Sequence, residues 1–248
     1  GEGTVREVER AGDEIDECHE AINWERGIRE RINDVARSDR GQGFQQFQEQ
    51  LEDEDPSLRI LIVEDRNTTG LTGNWDEDSN YAALVRDELY SQKQDETAGG
   101  SYGLGKSVLW TFSGASTVVF NSYLSESSDR GFRQRLIART KLPTHSLDED
   151  DTEYQGAGWL CTIDNSEDDP KPRSLWGSTA ESLAERLGVN RPTTPGTSAM
   201  VVGFRDPARD RTPSLKSLGQ EFVNAAAKYF WPAMYRNDLV VNVEVGSE

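Results

Sequence analysis

Cysteine, histidine and methionine are each present only twice in the 248 residues. Two thiols, Cys18 and Cys161, make no disulfide framework, so reduced cysteines and a cytoplasmic location are expected. His19 and His145 stand in no metal-ligand spacing and in no Ser/His/Asp arrangement, which sets aside zinc sites and triad hydrolases. Long hydrophobic runs are missing too. Nothing approaches the about 18 apolar residues of a membrane span, and the start "GEGTVREVERAGDEIDE" has no apolar signal core. No membrane partner is therefore expected.

Lysine is the other scarcity. Of 27 basic residues only six are Lys, against 45 Asp plus Glu and a formal net charge of -18. Such a surface opposes sequence-independent nucleic-acid binding, which needs a basic footprint. DNA remains open as a partner only through a local patch such as "DRGFRQRLIARTK" (129–141). An acid-rich, Lys-poor surface stays hydrated when salt screens charge, so it fits a halophilic source; it fits equally a genome that favours Arg codons.

With 34% hydrophobic residues the chain can build a real core, and one α/β domain over 1–248 is predicted. Apolar residues at Ile15, Cys18, Ile22, Ile28, Ile32 and Val35 recur at helical spacing, so the first 57 residues are predicted to be helical. "LRILIVED" (58–65) reads as a buried strand with acids at its carboxyl end. A loop (66–80), a short helix (81–93), a helix from 106 and a strand at 116–124 follow. Further strands are expected in "RQRLIARTKL", "GAGWLCTID", "GTSAMVVGF" (196–204) and "DLVVNVEV" (238–245), with helices at 179–189 and 214–230. The order predicts a two-layer α/β (α+β) sandwich, a mixed, mostly antiparallel sheet under a helical layer.

The chemistry concentrates in "GGSYGLGKS" (99–107). Counted from Gly100, it fits G-x-x-x-x-G-K-[ST], a P-loop closed by Lys106 and Ser107. A P-loop follows a buried strand, however, and "YSQKQDETA" (90–98) is polar and charged. A Walker-B strand is a downstream apolar run ending in Asp; "TVVFNS" ends in Asn and Ser, and "AMVVGFRD" delays its acid behind Phe204 and Arg205. The alternative pairs Asp65, at a strand end, with a glycine-rich lid leading into a helix. An isolated "ED" is commonly a solvated cap; its pairing with the lid singles out Asp65. In "KYFWPAMY" (228–235) the aromatics read as core or as an interface to a following domain.

"ILIVEDRNTTGLTG" followed by "GGSYGLGKSVLW" resembles the GHKL, or Bergerat-fold, ATPases, among them heat-shock chaperone ATPases, MutL, MORC proteins and type II topoisomerases. The resemblance implies a Bergerat-type fold, with ATP and Mg²⁺ as cofactors. Asp65 would accept from adenine's amino group, with Asn67, Thr69, Gly70 and Thr197 around the base. Gly100, Ser101, Tyr102, Gly103, Leu104, Gly105, Lys106 and Ser107 would form the lid (95–105) and the helix start that hold the phosphates. Asn67 stands where the family has its first Gly. "EAIN" (20–23) resembles the family's Glu-x-x-x-Asn compressed by one residue, which makes Glu20 the general base and Asn23 the magnesium ligand. Nucleotide-driven lid closure would then control a protein partner or dimerisation; such relatives act on protein or DNA clients, some in prokaryotic genome defence. A nucleotide-sensing module without turnover, or a P-loop NTPase, are the alternatives, and the chain is open to being a fragment of a longer protein.

Overall fold

The computed structural model describes residues 1–36, 42–52, 56–87, 104–146, 153–165, 170–209 and 213–246. In chain order these form β1 (Glu2–Ala11), α1 (Asp13–Ala21), a π-helical segment (Trp24–Arg29), α2 (Glu30–Ala36), α3 (Gln42–Leu51) and β2 (Ser57–Arg66). A π-helical turn (Ala82–Arg86), α4 (Leu104–Thr111), β3 (Thr117–Tyr123) and β4 (Gln134–Lys141) come next. Six short strands follow: β5 (His145–Ser146), β6 (Glu153–Tyr154), β7 (Ala157–Leu160), β8 (Thr162–Asp164), β9 (Lys171–Arg173) and β10 (Leu175–Trp176). The chain ends with α5 (Gly177–Arg186), β11 (Gly196–Val202), α6 (Leu215–Tyr229), α7 (Trp231–Tyr235) and β12 (Val240–Val245).

An open eight-stranded sheet runs β10-β4-β3-β11-β2-β1-β12, with β7 pairing alongside β4. Every pairing is antiparallel except β1 with β12. The central strands are buried on both faces, which is why they read as unbroken apolar runs rather than as alternation. Leu58, Ile60 and Ile62 of β2 turn to one face, where they meet Ile15 and Cys18 of α1, Ile32 of α2, Phe47 of α3 and Ala180 and Ala184 of α5. Leu61 turns to the other, against Leu218 and Phe222 of α6. Trp110 of α4 and Tyr81 cover Val118, Phe120 and Ile137 on that second face.

Two expectations are corrected. Helices lie on both faces of the sheet, so a sandwich of one sheet and one helical layer understates the architecture. The chain also begins with a strand and not with helices: β1 pairs residue for residue with β2, from Glu2↔Arg66 to Ala11↔Ser57. Charges at Arg6, Glu7, Glu9 and Arg10 hide that strand from an apolar-pattern search, because strand pairing with β2, rather than a local apolar stripe, holds it in the sheet. Smaller departures occur at Cys161, where "GAGWLCTID" breaks into β7 and β8, and at 81–93, where the described part is only a π-helical turn. Among the described residues, no helix is long and apolar enough to cross a membrane.

Candidate functional site

Asp65 is exposed at the carboxyl end of β2, beside the first residues of β11. Its Oδ1 accepts from the backbone N–H of Thr197 at 2.5 Å and from Thr68 Oγ1 at 3.2 Å. Both bonds fall on Oδ1, and among the described residues Oδ2 accepts none. Gly196 makes the approach possible: at φ 154° it lies in a region L side chains rarely adopt, and a Cβ there would stand 2.2 Å from Asp65 O. A charged support lies behind. Arg191 donates through Nη2 to Asp65 O at 2.5 Å and through Nη1 to Ser198 Oγ at 2.7 Å; Ser198 donates to Glu64 Oε2 at 3.1 Å. Burial depresses the Arg191 pKa, while Glu64 and Asp65 favour its charged form.

The loop after Asp65 folds back onto the sheet. Asn67 sits at φ 61°, the left-handed region that Asn tolerates best after Gly, and this accounts physically for an Asn where the resemblance expects glycine. At φ 72°, Gly70 lies so close to the β3 end that a Cβ would come within 2.6 Å of Tyr123 O. Ser122 Oγ receives the Leu71 N–H at 2.9 Å, donates to Gly196 O at 2.9 Å and reaches Thr197 Oγ1 at 3.2 Å. One hydroxyl therefore joins the loop to the Gly-Thr strand. Thr69 accepts from Asn80 Nδ2 at 3.1 Å.

Two arginines of β4 fasten the rest of this segment. Arg135, 3% exposed, donates from Nη1 to Leu71 O at 2.5 Å and to Gly73 O at 2.9 Å, and its guanidinium lies over the rings of Tyr81 and Trp176. Burial lowers its pKa to about 10, with Tyr81 opposing the fall. Arg139 Nη1 donates to Val85 O at 2.7 Å and Arg86 O at 2.8 Å, over Trp159. Neither residue stands out as a site residue in the sequence. The available signal was two Arg four positions apart inside a strand otherwise buried.

Asp65, Asn67, Thr69, Gly70 and Thr197 are thus brought together. Gly100, Ser101, Tyr102 and Gly103 fall outside the described residues. Leu104 opens α4, a Cβ on Gly105 would meet no atom of the described residues within 4 Å, and Ser107 O accepts from Thr111 Oγ1 at 3.1 Å. Lys106 Nζ donates to Asp87 O at 2.6 Å and to Ala83 O, tying α4 to the π-helical turn. Glu20 is exposed and pairs with Arg186 of α5 at 3.1 Å. Asn23, at φ 55°, lines a cavity with Thr117 and Thr140. Thr117 is at the start of β3 and Ser122 near its end, about 16 Å apart at ~3.3 Å per residue. Asn23 and Asp65 therefore occupy opposite ends of the sheet, and no described contact joins Glu20 to the Asp65 loop. Among the described residues, no group of three or more His, Cys, Asp or Glu is placed to hold a metal ion.

In comparisons with protein-family models, curated proteins and solved structures, nothing matched this chain.

Proposed function

We propose that the chain is an ATP-binding domain of the GHKL, or Bergerat, type. The observation that carries the proposal is the meeting of Asp65 and Thr197: a carboxylate with one oxygen engaged and the other accepting no bond among the described residues, held at a strand end by a Gly-Thr strand remote in sequence. Adenine offers an amino N–H to such an oxygen, whereas guanine offers an acceptor. Two acceptors facing each other cost on the order of 1–3 kcal/mol each when buried, and built polar sites discriminate by ~10⁴ or more. Backbone N–H groups of the lid and the start of α4 would carry the phosphates. ATP drives closure only by binding the closed state better, and the closed state is what a partner would meet.

Binding without turnover is the form of this proposal that the geometry favours. Glu20 is exposed and paired with Arg186, and Asn23 belongs to the opposite sheet end, so no hydrolytic step is assigned to them. The P-loop alternative requires a strand running into Gly100, and "YSQKQDETA" (90–98) is polar and charged.

Calorimetric titration of ATP, ADP and GTP into wild type, Asp65→Asn and Glu20→Ala tests the proposal. Wild type is expected to bind ATP and ADP and scarcely GTP. Asp65→Asn is expected to lose adenine-nucleotide affinity with an unchanged melt, and Glu20→Ala to bind as wild type. Equal ATP and GTP affinity, or an indifferent Asp65→Asn, overturns the GHKL assignment. Steady wild-type phosphate release abolished in Glu20→Ala overturns binding without turnover.

A further inference from the structure

A cavity of about 330 Å³ lies at the sheet end opposite Asp65, between the first helices and the β5–β6 hairpin. That volume is within the range of small-ligand sites. Its walls are mainly apolar: Ile22, Ile28, Ala138, Leu142, Trp159 and Leu160. Its helical side is irregular, beginning with Asn23 in the left-handed region and continuing through the π-helical segment, where Gly27 N donates to Asn23 O at 2.8 Å. Single π-helical stretches widen a helix locally and occur often at binding sites.

Among the described residues, one charged group faces this space. Arg31 lies 4.3 Å over the Tyr154 ring, and Tyr154 stacks on His145, its cross-strand partner. His145 Nδ1 is 2.9 Å from Pro143 O, which can only accept; Nδ1 therefore carries the proton, and Nε2 accepts from Arg31 Nη1 at 3.1 Å. The imidazole orients the guanidinium. Among the described residues, Arg31 has no carboxylate partner and the cavity wall holds no Asp or Glu. An oriented guanidinium with its Nη2 edge unengaged, at the rim of an apolar space, matches a carboxylate on an apolar body. A phosphate or nucleotide would call for further cations, and among the described residues no Lys or second Arg lines the wall.

We propose that this cavity is a binding site for a small organic monocarboxylate, with Arg31 as the carboxylate ligand and His145 and Tyr154 holding it in place. The proposal is independent of nucleotide binding at Asp65. Titration calorimetry and tryptophan fluorescence with benzoate and hexanoate, against benzamide and hexanamide, test it. Wild type is expected to bind a carboxylate saturably and at least about tenfold more tightly than its amide. Arg31→Gln is expected to lose that preference, Arg31→Lys to recover part of it, and Asp65→Asn to keep it. No saturable binding up to ~10 mM, roughly −3 kcal/mol or weaker, overturns the proposal. Equal affinity for acid and amide in wild type overturns it without recourse to a variant, and a folded Arg31→Gln with full affinity does so as well.

Discussion

Glu7 gives the sharpest test of the packing. It sits in β1 between Leu61 of β2 and Val245 of β12, 1% exposed, with neither carboxylate oxygen hydrogen-bonded among the described residues. Arg59 Nη1 stands 3.8 Å from Oε1 and donates to Pro213 O, while Arg59 Nε faces Glu9. Burial raises the Glu7 pKa from 4.5 to about 7, Arg59 opposing the rise and Glu9 adding to it. Between those values the folded chain keeps a proton that the unfolded chain has released, so stability falls as pH rises through that window and levels off above it. At ~1.4 kcal/mol per pH unit, the displacement amounts to about 3 kcal/mol lost by pH 8. Glu7→Gln keeps the shape without the ionisation. It is expected to match wild type near pH 4.5 and to exceed it by up to about 3 kcal/mol at pH 8, or ~6–12 °C in Tm for a domain of this size. Scanning calorimetry of both proteins from pH 4.5 to 8.5 at constant ionic strength measures the difference. A gap that does not change with pH, or a less stable Glu7→Gln at pH 8, refutes the reasoning.

Gly70→Ala is expected to lower stability by roughly 1–3 kcal/mol, since it combines a positive φ with a Cβ 2.6 Å from Tyr123 O; an unmoved urea midpoint would contradict the tight approach. Arg135→Gln removes the charged donor to Leu71 O and Gly73 O and is expected to cost about 3 kcal/mol or more in urea unfolding. A loss below ~1 kcal/mol would mean the loop holds without that anchor. Self-repulsion at a net -18 predicts a Tm that climbs between ~0.1 and ~3 M KCl; a flat or falling curve speaks against salt adaptation of the surface.

Apolar runs made the central sheet legible. "LRILIVED", "STVVFNSYL" and "GTSAMVVGF" became β2, β3 and β11, because an element's own periodicity decides which face it can bury; of the stripe Leu215, Leu218, Phe222, Ala226 and Tyr229, Leu218 is buried with Phe222 against it, whereas Tyr229 is exposed. Asp65, Gly70 and Thr197 were legible as candidates for a related reason: a strand end, a glycine and a Gly-Thr pair are local signs. Their company was not. Ser122, Arg135 and Arg191 act on Asp65 and its loop from positions remote in the chain, and strand order alone brings them there. Glu20 and Asn23 illustrate the same limit from the other side. A helix presents residues three apart on one face, but the pairing of β1 with β2 and the path of α1 carried Asn23 to the far end of the sheet, while Glu20 found Arg186. Local pattern determined what each segment is, since backbone geometry and side-chain alternation act over a few residues. Which segments became neighbours rested on long-range pairing and on the burial it allows, and only the tertiary structure decided it.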